Sequence, residues 1–248
     1  MTALGLVPQR HDATAVADAR TALAADGAVL LTGLPATADA LVVAAASVLG
    51  PRLRQLFPLR ERASRDGGPV DLHADSFNLT VDLAGIPTPR RDPDEDFVFV
   101  QCVEPSLTGG DSFLADAYRF VDEHATPELR EFLTDVDVDL YGKWGAIRGV
   151  PALPRVARHV EYTRTGRRIV RRTDGAVPLH RDPGAEHADR MLAVFTEAVQ
   201  QIQPGLPRFR PVAGEILVVD NYRCWHGRDP HPGDRLVRIL TVRTADAR

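Results

Sequence analysis

Cysteine is scarce in this chain: Cys102 and Cys224 are the only two in 248 residues, and they show no CxxC spacing. Two thiols cannot staple a domain of this size, so the expectation is reduced cysteines in a reducing compartment. Lysine is scarcer still. Lys143 stands alone, and arginine carries nearly all the positive charge, a bias that GC-rich coding produces without any chemical meaning. There is no excess of positive charge either. A net charge of −4 excludes a general attraction to nucleic acid or to an anionic membrane, which leaves small molecules as the expected partners. No run is long and apolar enough to span a bilayer, and the start, Met1 to Arg10, lacks the basic and apolar blocks of a signal peptide. A cytoplasmic location is expected. Internal repeats and low-complexity linkers are also missing. With 44% hydrophobic and 26% charged residues, the composition fits one globular domain over residues 1–248.

Periodicity predicts a helix from an Asp12 cap through Val16 and Leu23 to a stop at Gly27, a buried strand over 28–31, and a second helix over 37–49 closed by Gly50-Pro51. Charge and Gly67-Gly68 predict a loop over 60–69, and prolines 87, 89 and 93 predict another over 79–95. Strands are expected at 97–103, 112–115 and 136–140, and at 209–212, 215–220 and 236–243. Helical spacing recurs over 127–133 and 185–202, and residues 167–172 read as a hairpin or loop. Early helices followed by many short strands predict an α+β protein around a double-layered β-structure, for which a jelly-roll barrel is the expected form.

His73-Ala74-Asp75 carries the clearest chemical signal. Residues two apart on a strand face the same side, so this imidazole and carboxylate can grip one cation together. His226, in Trp225-His226-Gly227-Arg228, offers a second imidazole from far downstream. Two histidines and one carboxylate leave about half of an octahedral sphere open, the arrangement that non-haem Fe(II) oxygenases use.

Three segments together resemble the Fe(II)- and 2-oxoglutarate-dependent dioxygenases of the taurine dioxygenase and clavaminate synthase type. They are Leu72-His73-Ala74-Asp75-Ser76-Phe77, the stretch from Cys102 through Gly109-Gly110-Asp111-Ser112-Phe113, and Asp220 through Arg228 followed by Asp234-Arg235-Leu236-Val237-Arg238. The resemblance implies a double-stranded β-helix and Fe(II) on His73, Asp75 and His226. It further implies 2-oxoglutarate and O2 as cosubstrates, with oxidative decarboxylation to succinate and CO2 driving hydroxylation of an unactivated C–H bond. Keeping the carboxylate at Asp75 favours hydroxylation over halogenation. Arg238 is the expected partner of the far carboxylate of 2-oxoglutarate, Arg235 is the reserve, and Ser112 matches the hydroxyl that donates to the same group. Along the last strand Arg238 shares a face with Leu236, Leu240 and Val242, but parity does not say which face is inward.

Substrate contacts are expected from Ser76, Phe77 and Asn78, just after the metal pair, and from Trp144. Residues 143–185 form the expected substrate-covering region. Seven arginines between 155 and 172 read first as a solvated hairpin. As a functional alternative, Arg167, Arg168, Arg171 and Arg172 recognise an anionic substrate group or an acidic carrier protein. His180, His187 and His231 read as exposed loop residues, with His180 also placed to line the pocket mouth. The expected substrate is small and polar, an amino acid or an intermediate of specialised metabolism. Desaturation, epoxidation and cyclisation on the same iron are open alternatives, as is a non-catalytic metal-binding jelly roll. A zinc hydrolase is the poorest fit, since no general base stands in a fixed relation to the metal pair.

Overall fold

The computed structural model of the chain describes residues 4–92, 95–148, 153–179 and 183–248. Its first strands are β1 (Gly5–Leu6), β2 (Gln9–Asp12), β3 (Ala28–Thr32), β4 (Leu53–Leu56), β5 (Arg60–Arg65), β6 (Val70–His73), β7 (Phe77–Leu83), β8 (Ile86–Asp92) and β9 (Phe97–Glu104). After them come β10 (Ser112–Asp116), β11 (Val138–Asp139), β12 (Val156–Ala157), β13 (Val160–Tyr162), β14 (Arg168–Val170), β15 (Ile216–Asp220), β16 (Cys224–Arg228) and β17 (Asp234–Thr244). The helices are α1 (Val16–Asp26), α2 (Ala38–Leu49), α3 (Ala117–Arg119), α4 (Pro127–Asp135), α5 (Gly142–Arg148) and α6 (Ala185–Ile202). None is long and apolar enough to cross a membrane.

Two sheets carry the mixed α+β architecture. One has the order β1-β10-β16-β6; the other runs β2-β3-β15-β9-β17-β4, with β5 also paired to β17. Period-two alternation decides the layering. In β15, Ile216 and Val218 face a core shared with α1 and α2, whereas Leu217 and Val219 face inward to Leu114 and Cys224 of the smaller sheet. In β16, Cys224 points to that same inter-sheet layer, while Trp225 points outward to Phe120 and Phe195 beneath α6. Trp225 donates its Nε1–H to the Val170 carbonyl at 3.0 Å, which ties the β13–β14 hairpin to the smaller sheet. Both cysteines are buried, free thiols, and burial pushes each pKa up, as expected of inert packing residues.

Several local expectations need correction. Asp12 does not cap α1; its carboxylate accepts from the backbone and hydroxyl of Thr14, and Ala15 stands at the cap without a side-chain bond. Gly27 does stop the helix, at φ 78°, and Thr37 caps α2 by accepting from the Ala40 N–H at 3.3 Å. Residues 60–65 form a strand rather than a loop, because a sheet edge tolerates and even favours charge. Residues 77–92 are a two-stranded ribbon, turned at Ala84 and Gly85 with φ of 54° and 84°. Its prolines sit where no central ladder needs their missing N–H. Residues 209–212 contribute only an isolated bridge, Phe209 to Ser112, and the 136–140 strand shrinks to Val138–Asp139.

His159 shows how this core depends on protonation. It is fully buried beside Phe195, donates from Nδ1 to the Arg171 carbonyl at 3.0 Å, and has no partner for Nε2. Burial, aided by the nearby Arg172 and Arg171 charges, lowers its pKa to about 4. The unfolded chain therefore takes up this proton first. Stability from His159 is complete above about pH 6.5, falls as pH drops, and levels off below about pH 4, a total loss of up to about 3 kcal/mol. We expect His159→Asn to flatten the fall in melting temperature between pH 7 and pH 4; an unchanged slope would remove His159 from the account.

Candidate functional site

Strand pairing brings the two imidazoles together. His226 of β16 lies directly opposite His73 of β6, and their ring centroids are 4.4 Å apart. Gly227 follows because nothing larger fits: a Cβ there would meet the Phe113 ring at 2.2 Å and the Val70 carbonyl at 2.7 Å. Asp75 arrives by a different route from the one its spacing suggests. β6 ends at His73, so Asp75 lies just beyond the strand, and Asn221 fixes it there. The Asn221 side chain accepts from the Asp75 N–H at 2.8 Å and donates to the carbonyls of Asp75 and Glu95 at 3.1 and 2.9 Å. Gln203 holds β6 itself, accepting from the Leu72 N–H and donating to the Asp71 carboxylate.

The three side chains offer ligand atoms that all lie within 4.8 Å of one another. Asp75 Oδ1 is 3.6 Å from His73 Nε2, and Asp75 Oδ2 is 4.0 Å from His226 Nε2. His73 donates from Nδ1 to the Asp71 carbonyl at 2.9 Å, so its Nε2 lone pair faces the cluster. Burial lowers the His226 pKa to about 4, with the charges of His73 and Arg60 adding to it. Burial works against ionised Asp75, yet His73, His226 and Arg60 outweigh it and hold the carboxyl below the usual range. For His73 burial is likewise outweighed, by Asp75 and the Asp71 carbonyl, and the pKa rises. An ionised carboxylate beside a neutral imidazole is the donor set that a divalent cation requires.

Two cavities share His73 and Asp75. One, of about 320 Å³, lies between the sheets and is lined by His73, Asp75, His226, Ser112, Arg235, Val237 and Ile239. The other, of about 570 Å³, also borders His73 and Asp75 but not His226, with Arg60, Ser76, Arg91, Lys143, Trp144 and Arg172 in its walls.

The expected residues divide between these places and elsewhere. Ser112 and Arg235 face the smaller cavity, and Arg235 has no carboxylate partner among the described residues. Arg238 does not. In β17 the odd positions 235, 237 and 239 face the cavity, whereas Leu240 and Val242 pack on the α2 side. Arg238 follows the even set, donating to Glu61 and the Ala36 carbonyl, each at 2.7 Å. Ser76 and Trp144 line the larger cavity, but Phe77 and Asn78 do not. Phe77 packs against Phe57 at a 48° tilt under Arg60, and Asn78 accepts from Arg91 at 3.0 Å.

Arg167 and Arg168 also leave the site. Arg167 bridges Asp96 and Asp220 at 2.8 and 2.7 Å, and Arg168 pairs with Asp122. Arg171 is tied to Glu161, so the β13–β14 hairpin keeps Arg158 and Arg164 exposed while Arg167, Arg168 and Arg171 are paired within the fold. Only Arg172 of that group reaches the cavity. His231 is buried rather than exposed, bonded to Ser64 Oγ at 3.0 Å and to the Gly233 carbonyl at 3.1 Å. His187 is exposed but on α6, and His180 lies outside the described residues. Gly109 and Gly110 adopt φ of 64° and 71°, packed against Pro230 and His231. Arg60, Arg91 and Asn221 had no role in the sequence reading; Asn221, five residues before His226, was the one within a recognisable motif.

No curated relative matches the sequence at a significant level. Among solved structures, PvcB, an Fe, alpha-ketoglutarate dependent oxygenase from an isonitrile synthetic pathway, shares 18% identity at a TM-score of 0.60, covering 94% of this chain and 84% of its own. An asparagine oxygenase complex with Fe(II), 2S,3S-3-hydroxyasparagine and succinate shares 17% at 0.64, covering 93% and 78%. AAD-2 with Mn(II) and N-oxalylglycine shares 14% at 0.64, covering 97% and 89%. The family model of the taurine catabolism dioxygenase TauD, TfdA family matches residues 5–243, and the chain belongs to that family of dioxygenases.

Proposed function

We propose that His73, Asp75 and His226 hold Fe(II), that the smaller cavity takes 2-oxoglutarate, and that the larger cavity presents a small polar substrate for C–H hydroxylation. One observation carries the reading: the three ligand atoms cluster at the smaller cavity, and two of the three residues, His73 and Asp75, also line the larger one, so cosubstrate and substrate can approach one metal from two cavities. Bound there, iron would supply oxygen activation coupled to loss of CO2 from 2-oxoglutarate. The rest of the work falls to the chain. Asp75 and the two imidazoles supply charge and geometry, and Asn221 and Asp71 hold them in place. Arg235 and Ser112 would bind the far carboxylate of 2-oxoglutarate beside the apolar walls Val100, Leu217, Val237 and Ile239, with Arg62 and Arg228 adding positive charge to the same cavity. Such walls exclude water and fix which substrate carbon stands near the metal.

The same reading treats the paired sheets as a double-stranded β-helix within a single domain, residues 1–248. Lys143, Trp144, Arg172, Thr173 and Asp174, all lining the larger cavity, support residues 143–185 as the substrate-covering region. An amino acid is the favoured substrate class, in keeping with the asparagine oxygenase of similar fold. Anaerobic addition of Fe(II) and 2-oxoglutarate should produce a weak visible charge-transfer band, and substrate-dependent succinate should appear on admitting oxygen. Protein that binds one Fe(II) yet shows neither would refute the assignment.

A further inference from the structure

The larger cavity has more cationic groups than its carboxylates can neutralise. Arg60, Arg91, Lys143 and Arg172 line it, against Asp71, Asp75 and Asp174. Asp75 belongs to the metal cluster. Arg91 is occupied: it donates from Nε to Ser76 at 2.7 Å and from Nη1 to Asn78 at 3.0 Å, and its guanidinium sits 4.3 Å from the Trp144 ring centre. Arg172 is different. It is only 5% exposed, its guanidinium lies 5.4 Å from the Phe195 ring centre, its Nη1 donates to the Thr173 carbonyl, and its Nε has no hydrogen-bond partner. Asp71 and Asp174 favour its charge from a distance, but neither pairs with it. Arg60 has its Nε and Nη2 buried without hydrogen-bond partners, and its nearest carboxylate oxygen is Asp75 Oδ2 at 3.8 Å. A divalent cation on Asp75 would draw off that charge and leave Arg60 beside another positive centre. A buried guanidinium in such a place calls for an anion.

We propose that the substrate is a small organic anion whose carboxylate or equivalent oxyanion is received by Arg172, in the cationic wall that Arg172 shares with Arg60. The inference rests on the cavity assignment above and narrows it. An amine or neutral substrate without an acidic group would leave both guanidinium groups unsatisfied and would meet net positive charge. The exposed carboxylates Asp71 and Asp174 add a place for an ammonium group on the same molecule, so α-amino acids remain within the class. Arg172 is a binding residue for specificity, distinct from Arg235, which lines only the other two cavities that flank Ser112.

The test uses matched acids and amides on the full chain loaded with Mn(II) and N-oxalylglycine. The probes are 3-phenylpropanoate against 3-phenylpropanamide and L-leucine against L-leucinamide, titrated by calorimetry or ligand-observed NMR. At least one acid should bind about tenfold or more tightly than its amide, the effect of a charge-assisted hydrogen bond. Arg172→Gln should erase that preference, while Arg172→Lys should keep part of it, since a point charge lacks the fork of a guanidinium. N-oxalylglycine should bind both variants as it binds the parent. Amides binding as well as acids, or a preference that survives Arg172→Gln, would overturn the inference. Failure of N-oxalylglycine to bind the parent chain would instead strike the cosubstrate assignment on which it rests.

Discussion

Replacing Asp75 with alanine is expected to lower Fe(II) affinity by more than about 100-fold and to abolish oxygen-dependent succinate formation. Loss of a residue that merely supports a ligand costs about 10–100-fold, and Asp75 is the only carboxylate in the cluster. It touches both imidazoles and faces Arg60 at 3.8 Å. Without it, a divalent ion would enter a site holding two neutral donors and a buried guanidinium, with nothing to offset its charge. A metal titration by calorimetry separates this from a folding defect, because the metal-free melting temperature is read on the same samples. Asp75→Glu keeps the charge but moves it by one methylene; it should retain binding that Asp75→Asn loses. Equal Fe(II) affinity in the parent and Asp75→Ala would show that the cluster is not the metal centre.

The layers and the close approach of His73, Asp75 and His226 were largely legible in the sequence because each rests on local regularity. The apolar run in β15 and the alternation in β17 declare buried strands, and Gly27 and Thr37 mark helix ends by their own chemistry. His73, Asp75 and His226 stand out because their residue types and order are specific to one kind of site. What escaped was set by partners far apart in the chain. Arg60 lies in a charged stretch that becomes a strand only by pairing with β17, and Arg91 lies in a proline-containing ribbon. Neither could be assigned to a cavity from its neighbours in sequence. Arg167 and Arg168 mislead for the same reason: the aspartates that neutralise them, at 96, 220 and 122, are remote. Even the same-face argument for His73 and Asp75 succeeded only in part, since the strand ends between them and Asn221 does the positioning.

Arg235→Ala is expected to weaken 2-oxoglutarate binding by about 30-fold to several thousandfold, while Arg238→Ala leaves it nearly unchanged. The two residues lie on one strand, three positions apart, and therefore on opposite faces. Arg235 shares a cavity with Ser112, the apolar side chains Val100, Leu217, Val237 and Ile239, and the His73-Asp75-His226 cluster, with Arg62 and Arg228 also in its walls. Burial depresses its pKa, with Arg228 reinforcing the effect, so a bound carboxylate would relieve an unfavourable charge. Removing one partner of such a desolvated pair costs about 2–5 kcal/mol, which corresponds to the stated range. Arg238 already has its anion: Glu61 on the neighbouring strand, with the Ala36 carbonyl completing its bonds. Its loss should appear in stability, by up to about 1 kcal/mol given the exposure of Glu61, rather than in cosubstrate affinity. Anaerobic titration of Fe(II)-loaded protein with 2-oxoglutarate, followed by the charge-transfer band, distinguishes the two directly. If Arg238→Ala shifted the titration midpoint and Arg235→Ala did not, the strand would have to present its even face to the metal, and the two-cavity arrangement would be wrong.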